Sequence, residues 1–124
     1  MGDEDARLQE AILSMQYWKN RLGLQAWDIK TKICRMHEMT GDTSFGSVHF
    51  RKLMETAVVE FLDPRDYDAN KLYGFDIDPE ETLVHELLHL VLLYCYVDTE
   101  TDNALEIGIN RLARTLVQFR RGIR

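Results

Sequence analysis

What the chain lacks narrows its function first. No apolar run reaches the roughly 20 residues that a bilayer-spanning helix needs, because the longest one is interrupted by His89. The opening Met-Gly-Asp-Glu-Asp-Ala has no apolar core, so a secretory signal is not expected, and Ala6 stands where an acylation sequence carries Ser or Thr. Basic charge is in deficit. The 15 Lys and Arg against 21 Asp and Glu leave a net charge of -6, which argues against general affinity for nucleic acid or for an anionic membrane. Five arginines late in the chain (Arg111, Arg114, Arg120, Arg121 and Arg124) read as a solvated face whose cations complement the end of a helix dipole. Cys34 and Cys95 are the only cysteines. They lie far apart and without ligand spacing to any histidine, so both are expected as reduced core thiols of a cytoplasmic protein. Repeats and low-complexity tracts are absent, and 124 residues suit one domain, residues 1–124.

Only two prolines occur, and both mark boundaries. Pro64, after Asp63, ends an extended segment. Pro79 follows Asp78 and precedes Glu80 and Glu81, the order expected of a helix start: an N-cap, a proline at the first position, acids in the first turn. The helix then predicted, Thr82 to Val97, is almost wholly apolar (Leu83, Val84, Leu87, Leu88, Leu90, Val91, Leu92, Leu93) and should be buried on most sides. Upstream, Leu8, Ile12, Met15, Trp18 and Leu22 recur at helical steps over Asp3 to Leu22, with Gly23 as C-cap. Trp27, Ile29, Thr31 and Ile33 alternate as a strand does, and after a turn at Thr40-Gly41-Asp42-Thr43 two more extended segments follow, Ser44 to Phe50 and Glu55 to Leu62. The acid-rich stretch from Arg65 to Asp76 has loop composition without calcium-loop spacing and is assigned no ligand. Asp102 to Arg121 is a second amphipathic helix, its stripe Leu105, Ile109, Leu112, Ala113 and Leu116. The fold class is therefore α+β.

The apolar helix carries His85-Glu86-Leu87-Leu88-His89. At ~3.6 residues per turn both imidazoles share one face, where two neutral rings can grip one Zn²⁺ and Glu86 can take a proton from water at the ion. Three polar groups in so apolar a helix need partners. A catalytic zinc needs a third protein ligand. The continuation that ends in a third histidine is excluded, since Leu92 and Cys95 occupy its Gly and His places. Among nearby acids Glu106 falls at the edge of the apolar stripe of the last helix; Glu100 points away, and Asp98 and Asp102 suit turn or cap roles. Taken alone Glu106 is an ordinary boundary carboxylate; beside the histidines it is the expected ligand. Asn110 is one turn further on, and His49, Tyr67, Tyr73 and Tyr96 are candidate oxyanion donors without an assignment.

These residues resemble a known family. Trp27, the segment Phe61-Leu62-Asp63-Pro64-Arg65-Asp66-Tyr67, the run Thr82 to Leu90, and Glu106 with Asn110-Arg111-Leu112-Ala113 are similar to the minimal gluzincins, small zincin-type metallopeptidases of phages and prophages, and the last piece to the phage anti-repressor peptidases. Gly108 replaces a second acid often seen there. The resemblance implies a zincin-like fold: an N-terminal helix, a small three-stranded sheet, mixed or antiparallel, the metal helix and a C-terminal helix. It also implies hydrolysis of a protein or peptide substrate at zinc held by His85, His89 and Glu106, with Glu86 as general base, in the cytoplasm of a bacterial host. Substrate is expected to add to a sheet edge, for which Glu55 to Leu62 is the candidate. A zinc-stabilised regulatory or binding module without turnover, and a metal-free helical domain with an accidental motif, are the alternatives. Oligomeric state is open.

Overall fold

The computed structural model describes residues 2–39, 45–67, 77–93 and 99–122, with the backbone alone for 99–102. It is an α+β arrangement of four helices and a three-stranded mixed sheet: α1 (Asp3–Leu13), α2 (Met15–Arg21), β1 (Asp28–Cys34), β2 (Gly46–Arg51), β3 (Thr56–Leu62), α3 (Pro79–Val91) and α4 (Thr99–Arg120). No helix among the described residues is long and apolar enough to cross a membrane.

The first helix is broken where continuity was expected. At Ser14 the backbone N–H is shared between the carbonyls of Glu10 and Ala11, and the hydroxyl donates to Ala11 O at 2.6 Å, so the side chain competes for a carbonyl of the helical ladder where α1 gives way to α2. Gly23 ends α2 at φ +74, and Leu24 N–H reaches back to Lys19 O. That left-handed closure suits glycine. Trp27 is buried but lies just before β1 rather than on it.

β3 is the centre of the sheet, parallel to β1 and antiparallel to β2. Both its sides are therefore paired, and the segment expected to receive substrate as an added strand has no free edge. The outer places belong to β1 and β2. Ala57, Val59 and Phe61 project from β3 into the main core, together with Leu8, Trp18, Trp27, the apolar residues of α3, and Ile109, Ala113 and Val117 of α4. On the opposite face, buried Glu60 accepts from Ser47 Oγ at 2.7 Å, contacts His49 Nε2 at 3.1 Å and receives the Cys34 thiol at 3.6 Å. Burial opposes that charge and the three donors outweigh it, holding Glu60 below the ordinary carboxylate range. Cys34 is a free, buried thiol, as expected; Cys95 lies outside the described residues, as does the turn at 40–43.

α3 starts as its sequence predicts. Asp78 accepts from the N–H groups of Glu80 and Glu81, and Pro79 follows. It ends earlier, at Val91 with Leu92 as C-cap; Val97 lies outside the described residues. Three of the five late arginines also depart from expectation. Arg121 grips Asp78 through two contacts (2.6 and 3.0 Å) and Glu80 at 3.1 Å, Arg120 pairs with Glu80, and Arg114 with Glu81 at 3.4 Å. They bind the acidic first turn of α3 rather than forming a merely solvated face. Trp18 adds its indole N–H to Glu80 at 2.9 Å, and the Arg120 guanidinium stacks 3.8 Å from the Tyr17 ring centre. In α4, Leu112 is 43 % exposed, while Val117 takes the buried place the stripe had assigned to it.

Asp78 thus caps α3 and anchors α4. Burial pushes its carboxyl up, but the Arg121 hydrogen bonds and charge together with the α3 N–H donor bring it below the usual value. A carboxyl with a depressed folded pKa contributes stability above its unfolded pKa of about 3.9 and loses it as pH falls. Asp78→Ala is expected to lower stability by about 1–2 kcal/mol at pH 7, measured as a shift of the urea midpoint, and the gap between variant and parent should shrink as the pH drops below about 4.

Candidate metal centre

One face of α3 forms the floor of an open groove of about 930 Å³. Thr82, His85, Glu86 and His89 lie on that floor; Gly46, Val48 and Phe50 of β2 form one wall; Glu106, Asn110 and Arg114, one helical turn apart along α4, form the other. The sequence explains each element. Leu83, Val84, Leu87, Leu88 and Leu90 turn one side of α3 into the core, which leaves the histidines, four residues apart, on the side that faces α4.

There the expected ligands meet. His85 Nε2 and His89 Nε2 lie 3.2 Å apart, and Glu106 presents one carboxylate oxygen to each, 2.9 Å from His85 and 3.3 Å from His89. Atoms bound tetrahedrally to one ion at about 2.0 Å sit about 3.3 Å from one another. The spacing between the imidazoles matches that edge length and each ring meets a different Glu106 oxygen close to it, so two imidazoles and a carboxylate converge as a donor set suited to a small divalent cation. Burial holds the His89 imidazolium down despite the opposing pull of Glu106, and the His85 ring beside it acts in the same direction. A neutral imidazole is the form that binds metal.

Glu86 is 6 % exposed. Among the described residues no hydrogen-bond donor reaches its carboxyl, and burial first, then the negative charge of Glu106, pushes its pKa up to about 8. A buried polar group without a donor is costly. A cation among the ligands reverses the electrostatics by placing positive charge beside both carboxylates. With His85 and His89, Glu86 also forms a cluster able to hold a metal ion.

Gly46 is the residue that sequence reading missed. A Cβ there would collide with Thr82 Cγ2, lie 3.0 Å from the Glu60 carbonyl and sit 3.6 Å from Glu86 Oε2. Only glycine lets the strand pass this close to the helix, and a lone glycine at a strand is the available signal for such an approach. Of the candidate oxyanion donors, His49 alternates with the groove-facing Val48 and Phe50 and contacts Glu60 on the other face, Tyr67 is buried with Leu62 and Ile77 in a second core cluster, and Tyr73 and Tyr96 lie outside the described residues. Asn110 does line the groove.

Comparison with protein-family models, with curated proteins and with solved structures finds no match to this chain.

Two outcomes follow from the geometry. In metal-free protein a carboxyl whose folded pKa is raised to about 8 makes the folded state less stable as pH climbs from its unfolded value, about 4.3, toward 8, because the unfolded chain releases that proton first. Glu86→Gln should remove this slope and raise the pH 8 unfolding midpoint of the metal-free protein. Gly46→Ala should cost about 1–3 kcal/mol by overpacking, read by urea denaturation.

Proposed function

We propose that the protein is a zincin-like, zinc-dependent metallopeptidase that hydrolyses peptide bonds. The observation that supports this reading most is the convergence of His85, His89 and Glu106 at ligand spacing beside a buried carboxyl and along an open groove. The donor set of two imidazoles and a carboxylate suits zinc and leaves a fourth position for water or substrate. When bound, zinc supplies Lewis acidity, polarising the scissile carbonyl and lowering the pKa of water.

The chain's own groups do the rest. Glu86, ionised beside the cation, takes a proton from water as the water oxygen bonds to the carbonyl carbon; it then hands that proton to the amine nitrogen as the C–N bond breaks. One water is consumed: its second proton follows the first to the nitrogen, so a carboxylate and an ammonium group result and Glu86 ends as it began, ionised. β2 supplies the substrate rail. Leu62 N–H donates to Phe45 O in the same register that pairs Ser47 with Glu60 and His49 with Val58. Strict alternation then turns the N–H and C=O groups of Gly46, Val48 and Phe50 outward, where an extended peptide can add as a strand. The resemblance of the motif segments to phage and prophage peptidases supports a place in the cytoplasm of a bacterial host as part of this reading.

A second reading is a zinc-stabilised binding or regulatory module without turnover. It is favoured by one observation: neither His49 nor Tyr67 faces the reacting position.

Purified protein should take up one equivalent of zinc and cleave an unfolded protein such as reduced casein. Glu86→Gln should keep the zinc and lower hydrolysis by about 10²–10⁴-fold. Glu106→Ala should weaken zinc affinity by more than the roughly 10–100-fold typical of losing an outer-shell partner, measured by competition with a chromogenic chelator. Zinc uptake without hydrolysis would favour the binding module, and no uptake after zinc is supplied would sink both readings.

A further inference from the structure

The groove has two unlike ends. Phe45 packs in the cluster that holds Ile77, the residue before the α3 cap, and a Cβ at Gly46 would meet Thr82 in the first turn of α3. β2 therefore enters the groove at the start of α3, and Phe50, 37 % exposed, is the apolar lining of the far end. At the near end α4, antiparallel to α3, brings Arg114 to Glu81, and α1 contributes Arg7. Both cations are available. Arg7 is exposed and has no hydrogen-bond or ion-pair partner among the described residues. Its charge reaches Asp78, but that carboxylate is already held by Arg121 and the N–H groups of α3. Arg114 meets Glu81 through Nε alone, at 3.4 Å and with its side chain 66 % exposed, so among the described residues its two terminal nitrogens have no acceptor. Arg120 and Arg121 differ in being committed to Asp78 and Glu80. Two arginines against the single loosely paired Glu81 make this end of the groove positive in a chain of net charge -6.

We propose that this end is a subsite for a carboxylate of the substrate, held by Arg7 and Arg114 on the C-terminal side of the scissile bond, three or four residues beyond it. The subsite rests on the peptidase reading above and gives it a substrate preference. A guanidinium suits the task, since its planar fork of donors matches a carboxylate.

Lengths set the position. Arg114 stands two turns beyond the ligand Glu106, about 12 Å of helix at ~1.5 Å per residue, and an extended peptide advances ~3.4 Å per residue. Strand pairing sets the direction. Antiparallel addition is the more stable, and a peptide laid antiparallel to β2 enters over Phe50, crosses the metal ligands and leaves past Gly46, where Thr82, Glu81 and Arg114 lie. Two sources present a carboxylate there: the side chain of Asp or Glu in a longer chain, and the free C-terminus of a chain that ends at that place.

A metal anchor fixes the register for the test. Peptides that begin with a hydroxamate, which seats on zinc, and carry either Glu or Gln at the third and fourth places are titrated into the zinc-loaded protein by calorimetry. The Glu peptide should bind about fivefold more tightly, and the difference should fade as sodium chloride rises from about 20 to 500 mM. A peptide that ends at the third place, as free acid or as amide, separates a chain end from a side chain as the source. Arg7→Glu and Arg114→Glu should each lower the Glu-to-Gln ratio and together invert it, with unfolding midpoints close to the parent's, because both side chains are exposed. Equal binding of Glu and Gln peptides together with equal binding of acid and amide, or a ratio unchanged in the double variant, would overturn the subsite and leave the peptidase reading intact. A Glu preference in protein that never cleaves casein would support the subsite and count against turnover. Failure of every hydroxamate to bind zinc-supplied protein would overturn the metal centre and the subsite with it.

Discussion

The antiparallel contact between α3 and α4 is the constraint on which the rest of the molecule depends. It is fastened at both ends by charged groups. At one end the acidic first turn of α3 (Asp78, Glu80, Glu81) holds Arg114, Arg120 and Arg121; at the other Glu106 reaches His85 and His89. From Glu106 to Arg121 is about 22 Å of helix at ~1.5 Å per residue, with Ile109, Ala113 and Val117 packed between. A rigid rod held at its far end and along its length cannot slide, so the arginine cluster sets the register in which the carboxylate meets the imidazoles. Single exposed ion pairs contribute little, yet this network also includes the Trp18 indole and the Asp78 cap, and partners that share neighbours are ordered together.

The local parts of this design are legible in the sequence. Asp78-Pro79-Glu80-Glu81 announces the start of α3 because capping is decided within one turn, and the four-residue spacing of His85 and His89 follows from helical pitch alone. Glu106 could be singled out because phase relates a residue to its own helix. What escaped reading depends on pairs distant in the chain. β3 is central because β1 joins it in parallel from the far side, and no property of Glu55 to Leu62 declares how many neighbours it has. The arginines looked solvated because their partners, about 40 positions earlier, form a turn whose acids already had a role in capping. Ser14 and Gly46 carry weak signals, a helix interrupted by a hydroxyl and a glycine at a strand, whose meaning depends on what lies opposite.

Burial of polar chemistry sets the tension in the fold. Glu60 and Glu86 are nearly equally buried, 7 % and 6 % exposed, yet their pKa values move in opposite directions. Glu60 has Ser47, His49 and Cys34 as partners, which makes its charge part of the structure. Among the described residues, Glu86 has the negative Glu106 as its one charged influence. The same side chain at the same depth is thus a structural tie in one place and a source of instability in the other. Sites that depart from local stability in this way are where function is sought first.

The three faces of α4 show how one helix can satisfy separate demands. Ile109, Ala113 and Val117 fill the core, Glu106, Asn110 and Arg114 line the groove, and Leu112 and Phe119 look outward. A 22-residue helix that served the core alone would need only the first set, with polar residues elsewhere. Leu112, on the apolar stripe by phase, is half exposed for an informative reason. Its apolar phase is real, but the core of this small domain is already closed by the neighbours one turn away, so the leucine has no inward place to occupy. Apolar periodicity reports that a face is to be buried, without saying which molecule does the burying.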